Sequence, residues 1–175
     1  MIILIVPIAI LAIKFTSEGP IFYRQTRVGR GGEHFEILKF RTMFVDSESN
    51  GQARWASKDD PRITSVGRLL RKARIDELPQ LWNILIGEMS FIGPRPERPQ
   101  FVEQLKQSVD FFDVRLMVKP GLTGWAQIKY EYGNTVEDAM MKLQYDFYYL
   151  RHWSLPLDFY ILARTIGVVL KLKGL

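Results

Sequence analysis

The chain opens MIILIVPIAILAIKF, thirteen apolar residues before Lys14, with Pro7 in their middle. As a helix this run would reach only about 20 Å, whereas a membrane-crossing helix needs about 20 apolar residues. Pro7 removes one N–H from the ladder and sets its ring against the preceding turn, so a bend or break is expected there. The run also lacks the basic n-region and small-residue cleavage site of a signal peptide. What remains is a buried core helix, a kinked hairpin that dips into one leaflet, or the stump of a longer membrane element. Its apolarity favours membrane association.

At 175 residues the chain suits one domain with a real core. With 47% hydrophobic and 25% charged residues it is not a disordered or low-complexity protein. The net charge of +5 is unevenly placed: residues 14–74 hold 13 Lys/Arg against 7 Asp/Glu, and residues 75–175 hold 11 against 12. A basic segment of this kind attracts an anionic partner, whether nucleic acid, phospholipid headgroups or a sugar nucleotide. With no cysteine, disulfides, thiolate catalysis and zinc–thiolate sites are excluded. The two histidines, His34 and His152, are too few for a histidine-rich metal site and are expected at the surface or in packing.

Two β-like runs, PIFYRQ and HFEILKFRTM, flank VGRGGE, whose Gly29, Gly31 and Gly32 supply the positive φ values of a hairpin turn. Residues 46–64 are polar with Gly and Pro and read as a loop. From Val66 the apolar positions 66, 69, 70 and 73 repeat at helical spacing, which turns Arg68, Arg71 and Lys72 away from the buried stripe. That helix stops before Pro79, which suits the first turn of a second helix, PQLWNILIG. MSFIGPRPERP is too rich in proline for regular helix and makes a stiff turn presenting Arg95. A helical pattern resumes over 99–117, VKPGLTGWAQI reads as a second rigid loop, and 135–152 as a helix with Thr135 as N-cap. The chain ends in an apolar helix interrupted by Asp158 and Arg164, suited to a core, a bilayer surface or the pairing of two copies. Trp125, Trp153, Tyr145, Tyr148 and Tyr149 read as core or interfacial packing.

The stretch RIDELPQLW places Asp76 and Glu77 at the joint between the two proline-separated helices, just after Arg71 and Arg74. Adjacent carboxylates are usually surface features. These lie beside a helix start, whose amides and dipole would hold them ionised, and within twenty residues of the GPRP turn. Two carboxylates can hold a divalent cation through oxygen, and magnesium takes one or two of them with phosphates completing its shell. A carboxylate so placed is also able to attack phosphorus. Nearby arginines would then clamp phosphate oxygens. Lys39 and Arg41 join the candidates, with a basic strand face as the alternative.

Four stretches carry a family resemblance: SEGPIFYRQTRVGRGGEHFEILKFRTM, DDPRITSVGRLLRKARIDELPQLWNILIGEMSFIGPRPERP, VKPGLTGWAQI and LQYDFYYLRHWSLPLDFYIL. Together they resemble the catalytic domain of the bacterial sugar transferases, the monotopic phosphoglycosyl transferases that begin exopolysaccharide, O-antigen and capsule assembly. The combination of KFRTM, DELPQL and GPRP is specific to that group. The resemblance implies transfer of hexose-1-phosphate from a UDP-hexose to undecaprenyl phosphate, with release of UMP, at the cytoplasmic face of the bacterial inner membrane. It makes Asp76 the nucleophile that becomes a covalent phospho-sugar, Glu77 its assistant, and Mg2+ their shared ion. Arg71 and Arg95 match the phosphate and nucleotide contacts, Pro94 and Pro96 shape the turn, and Lys39 and Arg41 join them. By resemblance to the exopolysaccharide branch the donor leans towards UDP-glucose or UDP-galactose.

The expected fold is therefore α+β and mainly helical, with a small β-hairpin and several amphipathic helices. Residues 1–15 are expected to form a truncated re-entrant membrane helix broken at Pro7. Residues 16–175 would form the catalytic domain, ending in a membrane-associated helix on which a homodimer would pair. The alternative is a catalytically silent membrane-associated scaffold fragment of a longer transferase. Nucleic-acid binding is not expected, because no recognised motif accompanies the basic charge.

Overall fold

In the computed structural model, which describes residues 2–45, 47, 60–130, 133 and 135–170, the chain is α+β, with helices around two small sheets. Helix α1 (Ile2–Thr16) continues through Pro7, and no interruption marks the expected break. Pro7 falls in the second turn and costs the ladder a single N–H. Ala9 and Ile13 of α1 are buried with Phe40 and Leu70 in one of the core clusters. Among the described residues no helix is long and apolar enough to cross a membrane.

The hairpin forms as expected. Strands β1 (Phe22–Val28) and β2 (His34–Phe40) pair antiparallel from Phe22↔Phe40 to Val28↔His34. Only two of its three glycines use the left-handed region, Gly31 at φ 69° and Gly32 at φ 85°, whereas the Gly29 N–H closes the turn on the Glu33 carbonyl at 2.7 Å. Beyond β2 the end of the expected loop is not loop: Met43 bridges Ile63, and the Thr64 N–H donates to the Thr42 carbonyl at 3.0 Å. Residues 46 and 48–59, the body of that loop, lie outside the described residues.

Helix α2 (Ser65–Lys72) is capped by Thr64, whose hydroxyl accepts from the Gly67 N–H at 2.9 Å. The expected stripe is corrected at Leu69, which is 62% exposed, while Leu70 is buried. Gly67 and Leu70, one turn apart, face inward, and Leu69 is about 200° round from Gly67 at 100° per residue. Arg71 is not turned out to solvent but half-buried. A 3-10 turn (Ile75–Glu77) follows and leads to α3 (Gln80–Leu85), which begins just after Pro79 and ends towards Gly87 at φ 87°.

Strands β3 (Ser90–Ile92) and β4 (Gly121–Thr123) pair in parallel where the sequence suggested loops; at three residues each they are too short to show a period of two. The expected 99–117 helix is two elements, α4 (Pro99–Ser108) and a 3-10 turn (Phe112–Met117), because Val109 is extended and Phe111 turns left-handed at φ 60°. Helix α5 (Trp125–Lys129) follows β4. Helix α6 (Val136–Arg151) carries the expected Thr135 cap as a reciprocal box with Asp138, and α7 (Leu155–Leu170) is the expected apolar helix. Trp125 packs against the buried cluster of Ile92, Tyr149 and Ile161 and stacks on Tyr148, while Trp153 is exposed.

A close approach lies under α2, where a Cβ on Gly67 would sit 2.1 Å from the Thr42 carbonyl oxygen. Because that neighbour is backbone, Gly67→Ala must displace the helix, and it is expected to cost about 1–3 kcal/mol of stability. The measurement is a lower midpoint in chemical denaturation, with Ser65→Ala on the exposed face as the control.

Candidate active site

Residues 74–79 fold as a tight reversal rather than as the end of a helix. Arg74 adopts the left-handed region at φ 57°, a conformation that L-residues rarely take, and this turns the chain so that both Asp76 and Glu77 point into the protein. Each is only 7% exposed. The two neighbours then meet opposite fates.

Glu77 is saturated with positive charge. Its Oε1 accepts from the Arg95 guanidinium at 2.5 Å and lies 3.5 Å from Lys39 Nζ, while its Oε2 lies 3.6 Å from Arg74. Burial alone would raise its pKa, but Arg95, Lys39 and Arg74 outweigh burial and hold the carboxyl well below the usual carboxylate range. Asp76 makes no hydrogen bond or ion pair with any described residue. Burial and the adjacent Glu77 charge push it up to about 6, against the opposing pull of Lys39, Arg71 and Arg74. The helix start expected to hold both carboxylates ionised lies further on, since α3 begins only at Gln80, and the shift at Asp76 runs upward rather than downward. Lys39 feels its own burial most and is lowered to about 8, although Glu77 resists the change.

The expected site residues divide by location. Lys39 and Arg95 meet at Glu77, and Pro94 and Pro96 are buried in the turn that carries Arg95. Arg71 stands close enough to Asp76 to act on its charge, and its Nε donates to the Thr42 hydroxyl at 2.8 Å. Arg41 is engaged elsewhere: its buried guanidinium donates to the carbonyls of Ser17, at 2.8 Å, and Glu18, just past α1. Pro7 lies within α1, whose core contacts run to α2 and β2.

Sequence reasoning missed Asn83, which is 2% exposed and ties α3 to β2. Its Oδ1 accepts from the Leu38 N–H at 3.0 Å, and its Nδ2 donates to the Glu36 carbonyl at 2.8 Å, the residues on either side of Ile37 in the strand that bears Lys39. The available signal was an amide side chain inside the apolar run LWNIL, where only an internally bonded group is tolerated. Gln80 is also almost fully buried, and its Nε2 finds no acceptor among the described residues.

As a metal site the pair is sparse. No group of three or more His, Cys, Asp or Glu comes together among the described residues. Asp76 and Oε2 of Glu77 are the available donors. This suits a hard cation that completes its shell with phosphate oxygens and water, which is how magnesium binds.

The bacterial sugar transferase family model matches residues 1–172. The chain belongs to that family. Among curated relatives of this bacterial sugar transferase is the UDP-N-acetylgalactosamine-undecaprenyl-phosphate N-acetylgalactosaminephosphotransferase of Aeromonas hydrophila, 46% identical over 90% of this chain and 37% of the relative. The UDP-glucose:undecaprenyl-phosphate glucose-1-phosphate transferase of Xanthomonas campestris pv. campestris is 43% identical over 93% of this chain and 34% of its own length. The UDP-galactose-lipid carrier transferase of Erwinia amylovora is 39% identical over 98% and 38% respectively. The chain therefore spans little more than a third of these relatives.

Coupling within the pair is directly measurable. In the bacterial sugar transferase described here the Asp76 carboxyl, followed by carbon NMR, is expected to titrate near pH 6. In Glu77→Gln the like charge is gone while Lys39, Arg71 and Arg74 remain, so the midpoint should fall towards the ordinary carboxylate range.

Proposed function

We propose that this chain is a phosphoglycosyl transferase domain that moves hexose-1-phosphate from a UDP-sugar to undecaprenyl phosphate and releases UMP. The observation that carries this reading is the contrast inside the dyad: Glu77 is bound by three cations, and Asp76 beside it is bare and buried, with a raised pKa. A carboxylate without hydrogen bonds is more basic and a better nucleophile than one that is solvated or paired. Environments that push two neighbouring carboxylates apart also separate their roles.

In the proposed reaction an Asp76 oxygen attacks the phosphorus that bears the sugar. The bond from that phosphorus to the bridging oxygen breaks, and UMP leaves with the electron pair. An oxygen of undecaprenyl phosphate then attacks the same phosphorus, expelling the Asp76 carboxylate and forming a lipid-linked diphospho-sugar. Arg95, Arg71 and Lys39 line the region where phosphate oxygens would lie. Glu77 keeps the Arg95 and Lys39 charges gathered there before substrate arrives. Asp76 and Glu77 would hold magnesium, and the positive charge supplied there would reduce the repulsion between anionic nucleophile and anionic substrate.

The lipid acceptor requires a membrane, and large exposed apolar residues support that placement. They include Ile8, Leu11 and Phe15 on α1, Trp82 and Leu85 on α3, and Leu155, Phe159 and Ile166 on α7. Apolar groups in such numbers mark an interaction surface, and aromatic residues favour the bilayer interface. In this reading α1 contacts the cytoplasmic leaflet and residues 16–175 form the catalytic part. The sugar stays open among hexoses, since the relatives' names divide among N-acetylgalactosamine, glucose and galactose.

The test is UMP release from a panel of UDP-sugars with undecaprenyl phosphate and magnesium in detergent. Asp76→Asn is expected to lower the rate by about a thousandfold or more, the scale of losing a nucleophile. Without acceptor, the parent chain should gain the mass of one hexose phosphate on the peptide containing Asp76. Equal rates for parent and variant would remove Asp76 as nucleophile, and a silent parent with intact membrane binding would favour the scaffold alternative.

A further inference from the structure

The turn that presents Arg95 has no regular secondary structure, yet four consecutive carbonyls in it are each held from a different place. Pro94 O accepts from the Gly121 N–H at 2.9 Å, and Glu97 O accepts from the Val28 N–H at 3.0 Å. Between them, Arg95 O accepts from Arg115 at 3.0 Å and Pro96 O accepts from Arg27 at 3.0 Å. A void of about 10 Å3 lies between the turn and these supports. That leaves room for one water at most. The backbone of Arg95 is therefore fixed on the side away from Glu77, while its guanidinium extends to Glu77.

Two of these four supports are amides of β1 and β4 and do not depend on side-chain identity. The Arg115 support does. Arg115 is 7% exposed and points its Nε at Asp146 Oδ2, 2.9 Å away, while a second nitrogen reaches the Arg95 carbonyl. Its guanidinium also lies 5.1 Å from the ring of Phe112. Asp146, on α6, is only 2% exposed. The second nitrogen also lies 2.9 Å from Asp146 Oδ2, so the carboxylate clamps the planar guanidinium along its Nε side and aims a remaining N–H of the same nitrogen at the backbone of the residue that grips Glu77.

We propose that Asp146 and Arg115 are positioning residues for Arg95: α6 sets, through Arg115, where the Arg95 guanidinium stands relative to Glu77 and to the substrate's diphosphate. The inference rests on the transferase reading for the role of Arg95 in turnover. The mechanical part, Asp146 holding the turn, is tested apart from it.

Two measurements on this chain in detergent decide it. Amide hydrogen exchange at Val28 and Gly121 should quicken at least about fivefold in Asp146→Asn, since loosening the turn opens the bonds to Glu97 O and Pro94 O. In UMP release, Asp146→Asn should cost about tenfold to a hundredfold, the scale of a small misplacement of a charge clamp. The same substitution in an Arg95→Ala background should then cost less than about twofold, because it acts through a side chain already absent. Unchanged exchange at both amides overturns the proposal whatever the turnover. So does a full additional loss in the Arg95→Ala background, which would mean that Asp146 acts by another route. A parent chain that releases no UMP would sink the transferase reading, and the exchange result would still decide whether Asp146 holds the turn. Should Asp146→Asn not fold, Arg115→Lys carries both arms, since a lysine cannot bridge Asp146 and the Arg95 carbonyl with a rigid fork.

Discussion

Three positive groups converge on the carboxylate of Glu77 from three separate parts of the chain. Lys39 comes from β2, Arg74 from the reversal after α2, and Arg95 from the turn between β3 and α4. Taking a carboxylate out of water is costly, and here several charged bonds offset the cost. The converse matters more for the architecture. Without Glu77, Lys39, Arg74 and Arg95 would face one another with no such anion between them, and the segments that bear them would have reason to separate. The same charge acts on its neighbour in sequence: because Glu77 takes the close cation contacts, Asp76 is left buried beside a negative group with no ion pair of its own among the described residues.

That division depends on backbone features well outside the dyad. Gly67 lets α2 approach the Thr42 carbonyl, and this contact also brings Arg71 to the Thr42 hydroxyl and so within range of Asp76. Asn83 bonds β2 at Glu36 and Leu38, just before Lys39, so the strand that carries the lysine is held by α3 as well as by its strand partner. Gly93 and Gly121 approach each other so closely that a Cβ on either would meet backbone, which is how the β3–β4 pair brings the Arg95 turn down onto its supports. Each of these is a packing requirement with an electrostatic result.

Local chemistry made part of this legible in advance. Positive-φ glycines announced the hairpin, Thr135 with Asp138 announced α6, and the proline spacing showed that Asp76 and Glu77 sit at a joint rather than on a helix face. Clustered opposite charges in DELPQL and GPRP pointed to a site. What stayed hidden was set by contacts distant in sequence. Strands β3 and β4 are stabilised by each other, with little pattern of their own. Leu69 and Leu70 are equal in hydropathy, and the close approach at Gly67 decides which of them is buried. Arg41 and Arg95 look alike as basic residues beside aromatic and proline motifs, yet one satisfies carbonyls past α1 and the other reaches Glu77. The opposite pKa shifts of two adjacent carboxylates are a tertiary property, since neither residue's own neighbours in sequence would separate them.

The two titrations nearest the dyad bracket a working range. Asp76 carries its charge above about 6, and Lys39 keeps its charge below about 8. Below the lower bound the Asp76 carboxylate takes up a proton, which in the proposed reaction would end its role as nucleophile. Above the upper bound Glu77 loses one of its three cations, since Lys39 gives up its proton. Burial produces both limits, raising an acid and lowering a base. The environment that leaves Asp76 without an ion pair therefore also confines the fully charged site to the interval between about pH 6 and about pH 8.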